Sequence, residues 1–327
     1  MSGPIAIVGG GSWGTALANA AASTGPVLLW MRDAEVARAT QQSRSNERYL
    51  PGLRIANGVT VTADESALGS ARAVLFVVPA QAVRSTLAHL AGYLPAVAPI
   101  VVCAKGIERG TNAFLSDVVA ETRPGVPVGI LSGPSFAADV ARGLPTAVTL
   151  AALDATLAAD LAAALSAPAF RVYFSTDVRG VEIGGAGKNV LAVAVGIVAG
   201  RGLGESAKAA LTARGFAELT RFAVAFGAKP ETLMGLSGLG DLVLTCGSAQ
   251  SRNFSLGLRI GAGSPPAEAS GGKLAEGAFT ADALVALARA ASVDMPVAEA
   301  VAAVLAGGLT VDAAIDALMT RPLRAEA

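Results

Sequence analysis

Ile5-Ala6-Ile7-Val8-Gly9-Gly10-Gly11-Ser12-Trp13-Gly14 reads as a short strand running straight into a glycine-rich turn and then a helix. Four consecutive apolar residues suit a strand covered on both faces. The turn fits G-x-G-x-x-G. Gly9 permits the tight turn, Gly11 lets a pyrophosphate approach the backbone, and Gly14 allows helix and strand to pack closely. A helix starting near Ser12 aims free N–H groups and the positive end of its dipole at that phosphate. A strand before the motif and a helix after it are the context that gives it meaning.

Working outward, the next strand ends Leu29-Trp30-Met31-Arg32-Asp33. An acidic residue at this tip serves the ribose hydroxyls of NAD, whereas an arginine accepts the 2′-phosphate of NADP. Arg32 comes first here, so NADP(H) is favoured and NAD(H) remains possible. Further strands are expected at Val59–Thr62, Val74–Val78, Ile100–Cys103, Val128–Leu131, Ala147–Leu150 and Arg171–Phe174. Helical stretches fall between them at Ser12–Ser23, Gln81–Ala91, Asn112–Glu121 and Ala155–Ser166. That alternation is the pattern of a parallel sheet with helices on both faces.

From about Val178 the pattern becomes Ala-rich and helical throughout, in segments such as Val178–Val198, Ser206–Phe226, Pro230–Leu236, Ser251–Ile260 and Thr280–Ala290. Val297–Leu305 and Val311–Leu318 complete the series. The fold class is therefore α/β: an N-terminal Rossmann-like, doubly wound, mainly parallel sheet, 1–180, plus a C-terminal all-α domain, 181–327. A helix is expected to run across the junction without a flexible linker.

The chain has 327 residues, long enough for two cores. Its 25 basic and 25 acidic residues balance, which gives no electrostatic case for nucleic acid or an anionic membrane. The longest strongly apolar run, Val190–Ala199, is shorter than the ~18 residues that span a bilayer. With strand-like sequence from Ile5, no secretory signal is expected. Two cysteines, Cys103 and Cys246, fit a reducing cytoplasm rather than a disulfide framework. A single histidine, His89, leaves no His/Cys cluster for a metal.

Chemistry concentrates in the second half. Lys188-Asn189 sits in an apolar, small-residue helix, and burial lowers a lysine's pKa toward the range where it can exchange a proton near neutrality. Lys105 lies just past a strand's carboxyl end, where open parallel sheets bind ligands. Ser132-Gly133-Pro134-Ser135-Phe136-Ala137 forms a loop after another strand. Gly238-Leu239-Gly240-Asp241 presents a carboxylate, and Ser251-Arg252-Asn253 at a helix start offers a guanidinium beside free N–H groups, a combination suited to phosphate. Each also has a plainer reading. Lys188 could snorkel to solvent, Asp241 could close its own turn, Arg252 could form a surface ion pair, and Trp13 and Tyr49 could simply pack.

In this order and spacing, the chain resembles the bacterial NAD(P)-dependent glycerol-3-phosphate dehydrogenases, end to end. Further shared stretches are Asn46-Glu47-Arg48-Tyr49-Leu50-Pro51-Gly52, Gly185–Ala192, Thr245-Cys246 and Glu276-Gly277. The resemblance implies reversible reduction of dihydroxyacetone phosphate to glycerol 3-phosphate, feeding phospholipid synthesis. It implies that Lys188 is the proton acceptor and that Lys105, Gly133, Ser135, Asp241, Ser251, Arg252 and Asn253 surround the substrate. Ser12, Trp13, Arg32, Tyr49, Lys105, Ala137, Arg252, Leu274 and Glu276 would contact the dinucleotide.

Asp241 is expected to orient Lys188, and a homodimer is expected. Gly187, Ala199, Ser206 and Ala213 depart from the family's usual residues, and Gly187 is expected to loosen the helix start by up to about 1 kcal/mol relative to alanine. Two rivals stand beside this reading. One is a related two-domain hydroxyacid or ketopantoate-type dehydrogenase. The other is a non-enzymatic NAD(P)-binding redox sensor.

Overall fold

The computed structural model describes residues 3–272 and 274–322, so the outermost residues of both expected domains lie outside the described residues. Ten strands are found: β1 (Ile5–Val8), β2 (Val27–Trp30), β3 (Ser45–Asn46), β4 (Leu50–Arg54), β5 (Val59–Thr62), β6 (Ala73–Phe76), β7 (Ile100–Val102), β8 (Val128–Ser132), β9 (Thr146–Ala152) and β10 (Phe170–Ser175). The helices of the first half are α1 (Ser12–Ala21), α2 (Ala34–Ser43), α3 (Val83–Leu90), α4 (Leu115–Thr122), α5 (Ala137–Ala141) and α6 (Ala155–Leu165). Those of the second half are α7 (Val178–Gly200), α8 (Glu205–Ala225), α9 (Pro230–Met234), α10 (Asp241–Cys246), α11 (Arg252–Gly261), α12 (Pro266–Ala269), α13 (Glu276–Ala290), α14 (Pro296–Leu305) and α15 (Val311–Met319).

Eight strands form one sheet in the order β10-β9-β8-β7-β6-β1-β2-β5. All neighbours are parallel except β8 and β9. The order reverses at β1, between β2 and β6, and such a switch point opens a crevice at the strands' carboxyl ends. The Gly9–Gly14 turn leaves β1 at that point. β1, β2 and β6 are buried along their whole length, which explains their uninterrupted apolar sequence.

The structure adds the β3–β4 hairpin, which the sequence reading lacked; β3 is only two residues long, too short for a periodic signal. It also shortens two expected helices. α4 starts after Phe114, because Asn112 adopts a left-handed φ of 57° and Phe114 itself is extended, bridged to Ile107. The segment at Pro230 ends at Met234 and is followed by a π-helical turn, Leu236–Gly240, that delivers Asp241.

α7 organises the second half. It is buried on every side from Gly180 to Val198, as a helix apolar all round must be. By length and composition it could cross a membrane, but 89% of its apolar window is buried inside the protein. Glu182 ties it to α4, accepting from Ser116 N at 2.8 Å and from Ser116 Oγ at 2.7 Å.

Glycines let α11 lie against the α7 backbone. A Cβ at Gly196 would sit 2.2 Å from Phe254 O, one at Gly200 2.1 Å from Leu258 O, and one at Gly257 2.1 Å from Val193 O. None of these oxygens can move without moving a helix. Gly257→Ala is therefore expected to destabilise the fold by about 1–3 kcal/mol, the range for overpacking, measured as a fall in the urea midpoint. An unchanged midpoint would mean that the crossing tolerates displacement.

Gly187 answers its expectation differently. It lies inside α7, where a Cβ would come 2.2 Å from Leu219 Cδ1, so the missing methyl makes room for α8.

Candidate functional site

The glycine turn shows which of its glycines the protein itself requires. Gly9 has φ +119° and its Cβ would meet Val77 O at 2.6 Å; a Cβ at Gly14 would meet Gly9 O at 1.8 Å. Gly11 is different, because its Cβ would find nothing within 4 Å. The protein leaves that space open at the start of α1, where no side chain caps the helix. Unpaired N–H groups facing open space beside a bare glycine fit a dinucleotide pyrophosphate.

Asn46, from β3, holds this turn. Its Nδ2 donates to Gly10 O at 2.9 Å and to Thr15 Oγ1 at 2.8 Å. Ser12 Oγ donates to Tyr49 O at 2.6 Å, so the hydroxyl pins the hairpin while the Ser12 backbone remains at the helix start. Trp13 packs at 6.4 Å from the Phe170 ring. Ala137 begins α5, Arg32 and Tyr49 are exposed, and Leu274 lies just before α13.

Across the crevice, three side chains converge. Lys188 on α7 is 7% exposed, and Asp241 at the start of α10 is 1% exposed. Lys188 Nζ donates to Asp241 Oδ1 at 2.8 Å and to Thr245 Oγ1 at 2.7 Å. Lys105, beyond β7, donates to the other oxygen, Asp241 Oδ2, at 2.6 Å and to Gly133 O at 3.0 Å. One carboxylate thus serves two ammonium groups, one from each half of the chain.

Burial pushes Lys188 down to about 8; Asp241 opposes that and Lys105 adds to it. Burial alone would raise the Asp241 carboxyl, but the charges and hydrogen bonds of Lys105 and Lys188 together hold it below the usual carboxylate range. An ammonium has three donors. Each of these lysines has two engaged by the protein, leaving one N–H for another oxygen.

A hydrogen-bond relay surrounds this centre. Asn189 Nδ2 donates to Lys105 O at 3.0 Å, Asn253 Nδ2 to Asn189 Oδ1 at 2.8 Å, and Gly277 N to Asn253 Oδ1 at 2.9 Å. Next to Gly277, Glu276 Oε1 accepts from Ala80 N at 3.1 Å, and its buried Oε2 has no hydrogen-bond partner among the described residues. Burial raises the Glu276 carboxyl. The relay links α7, α11 and α13 to the loops of the sheet.

The structure assigns several expected contacts to local work. Ser251 Oγ caps α11 by accepting from Phe254 N at 3.2 Å. Ser135 Oγ donates to Gly133 O at 2.9 Å. The amide of Asn253 is engaged in the relay through both its heavy atoms, and its backbone N–H stands at the helix start. Arg252 is exposed and makes no hydrogen bond or ion pair among the described residues.

Thr245 had no role of its own in the sequence reading, although the signal was present. It stands four residues after Asp241, on the same face of one helix turn, and its hydroxyl lies 3.3 Å from Asp241 Oδ1. Asn46 and Asn189 carried no comparable signal, because their partners are distant in sequence.

A doubly wound sheet with a dinucleotide turn, facing a buried lysine–carboxylate centre on a helical half, defines a two-domain nicotinamide-dependent dehydrogenase. Residues 4–158 match the family model for the N-terminus of NAD-dependent glycerol-3-phosphate dehydrogenase, and residues 177–316 match that for its C-terminus. The chain belongs to the NAD-dependent glycerol-3-phosphate dehydrogenase family. It is 64% identical over 325 residues to glycerol-3-phosphate dehydrogenase [NAD(P)+] of Methylobacterium radiotolerans, covering 99% of this chain and 98% of that one. Identity to the same enzyme of Azorhizobium caulinodans is 61%, with the same coverage. Among solved structures, glycerol-3-phosphate dehydrogenase from Coxiella burnetii superposes with a TM-score of 0.92 at 40% identity, over 98% of this chain and 99% of that one.

Proposed function

We propose that this protein catalyses the reversible, NAD(P)H-dependent reduction of dihydroxyacetone phosphate to sn-glycerol 3-phosphate, the backbone unit of phospholipid synthesis, with NADP(H) favoured. The observation that carries the reading is the shared carboxylate: two ammonium groups on Asp241, each with one N–H unengaged. The family membership supports it further.

A bound nicotinamide supplies the hydride in one direction and accepts it in the other. Lys188, as the ammonium, donates its remaining N–H to the C2 oxygen and passes it a proton as that oxygen gains charge; in reverse, the neutral amine takes the hydroxyl proton. Stabilising charge where it develops is usually the largest catalytic contribution. Asp241 and Thr245 fix the Lys188 nitrogen, leaving a single direction for its third N–H. Lys105 adds a second positive charge against the substrate and is itself held by Asp241 and Gly133 O. Arg252, exposed at the start of α11 and without a hydrogen bond or ion pair among the described residues, grips the phosphate together with the N–H groups of that helix end.

Following NADPH and NADH absorbance in parallel with dihydroxyacetone phosphate tests the reaction and the cofactor preference together. A panel of ketones with and without phosphate separates this reading from the ketopantoate-type rival, whose substrate needs a carboxylate grip. A redox sensor would oxidise NADPH with none of them. Arg252→Ala is expected to raise KM for dihydroxyacetone phosphate at least about tenfold, the loss of one charge-assisted contact. If only the cofactor's KM rose, the phosphate would lie elsewhere.

The reading extends to a homodimer, checked by sedimentation, and to the cytoplasm, supported by Cys103 and Cys246, both buried and unpaired.

A further inference from the structure

Arg48 lies in the turn between β3 and β4, on a hairpin clamped to the glycine turn on both sides of it by Asn46 and by the Tyr49 carbonyl. Its guanidinium stands 5.3 Å from the Tyr49 ring centroid, and its Nη1 lies 3.9 Å from Asp33 Oδ2. Asp33 is the acidic residue at the β2 tip, where ribose hydroxyls or a 2′-phosphate would be read. Its Oδ1 accepts from Glu35 N and Val36 N, both at 3.1 Å, so that oxygen is taken up in capping α2. Only Oδ2 is left, and it faces Arg48.

The neighbouring Arg44 is unavailable, because it turns inward to Gln41 and to the carbonyls of Ala56 and Val59. Arg48 is held differently. Its side chain is 62% exposed and that of Asp33 55% exposed, so their long pair is a weak, readily exchanged contact. A dianionic phosphate offers a guanidinium fork much stronger, charge-assisted bonds.

We propose that Arg48 is a specificity-determining residue for the cofactor. It exchanges Asp33 for the ribose 2′-phosphate of NADP(H) and works beside Arg32. The inference rests on the NADP(H) preference proposed above for Arg32.

The test is titration calorimetry of the full chain with two probes that differ only in the 2′-phosphate, adenosine 2′,5′-bisphosphate and adenosine 5′-monophosphate. For Arg48→Ala, the Kd of the bisphosphate is expected to rise about tenfold, as for loss of a charge-assisted contact, and that of the monophosphate to stay within about twofold. Asp33→Asn keeps the helix cap, since asparagine caps as well as aspartate, and is expected to tighten the bisphosphate alone. If the wild-type chain prefers the bisphosphate and Arg48→Ala changes neither probe, or both equally, the role of Arg48 is overturned while the Arg32 reading stands. If the wild-type chain binds the two probes alike, both fall.

Discussion

Replacing Lys188 with alanine is expected to lower kcat at least about 100-fold, the lower range for loss of a general acid–base group, while NADPH binding followed by fluorescence stays near wild type. The nitrogen is removed at the one point where a proton reaches the substrate oxygen. The dinucleotide turn lies across the crevice and keeps its own contacts. Thr245 and Asp241 cannot substitute, since neither offers an ammonium N–H. Near-normal turnover in this variant would end the assignment of Lys188.

The pH dependence follows with a definite sign. Lys188 is held near 8. Reduction of the ketone needs the ammonium, so its kcat/KM falls as pH rises through about 8. Oxidation of the alcohol needs the neutral amine and rises over the same interval. Profiles in the two directions should cross there, and Lys188→Ala should abolish both limbs.

Asp241→Asn is expected to have the second largest effect, on stability as well as on rate. The carboxylate is the common acceptor of two lysines in a nearly dry site. Removing one partner of a buried pair leaves charge uncompensated and destabilises by about 3–5 kcal/mol, measured as a lower urea midpoint. Without Asp241, burial and Lys105 both continue to depress Lys188 and nothing of comparable strength raises it. The alkaline limb of the reduction profile should therefore move to lower pH. A variant with wild-type stability and an unmoved limb would show that the lysines do not depend on this carboxylate.

Arg252 and Gly257 fail in different ways, which makes them useful together. Arg252 is exposed at a helix end without a hydrogen bond or ion pair among the described residues, so its loss is read in substrate KM rather than in stability. Gly257 packs on the α7 backbone at Val193 and Ile197; its loss is read in the unfolding midpoint.

Much of the first half was legible because its signals are local. β1 and β2 follow their apolar runs, β5 follows the Val-Thr alternation, and the glycine turn declares itself within six residues. The long apolar pattern of α7 likewise marked a buried helix. The β3–β4 hairpin was not legible, because a two-residue strand has no periodicity to detect. The start of α4 was hidden by the left-handed Asn112 and by the bridge of Phe114 to Ile107, backbone choices that residue type permits but does not announce. Thr245 could have been found from its helical spacing to Asp241; Asn46 could not, since its partners Gly10 and Thr15 lie 36 and 31 residues away.

The chain's order of residue types by itself determined the doubly wound sheet, the helical second half and the identities of the lysines and the aspartate, because periodicity and turn chemistry act over a few neighbouring residues. Only the tertiary structure decided that Lys105 and Lys188 share the two oxygens of Asp241, and that Asp33 is a helix cap facing Arg48. The first arrangement depends on how closely α7, α11 and the sheet loops approach, the second on where the β3–β4 hairpin docks. Backbone contact through glycines sets that approach, and the effect of burial on each charge follows from it.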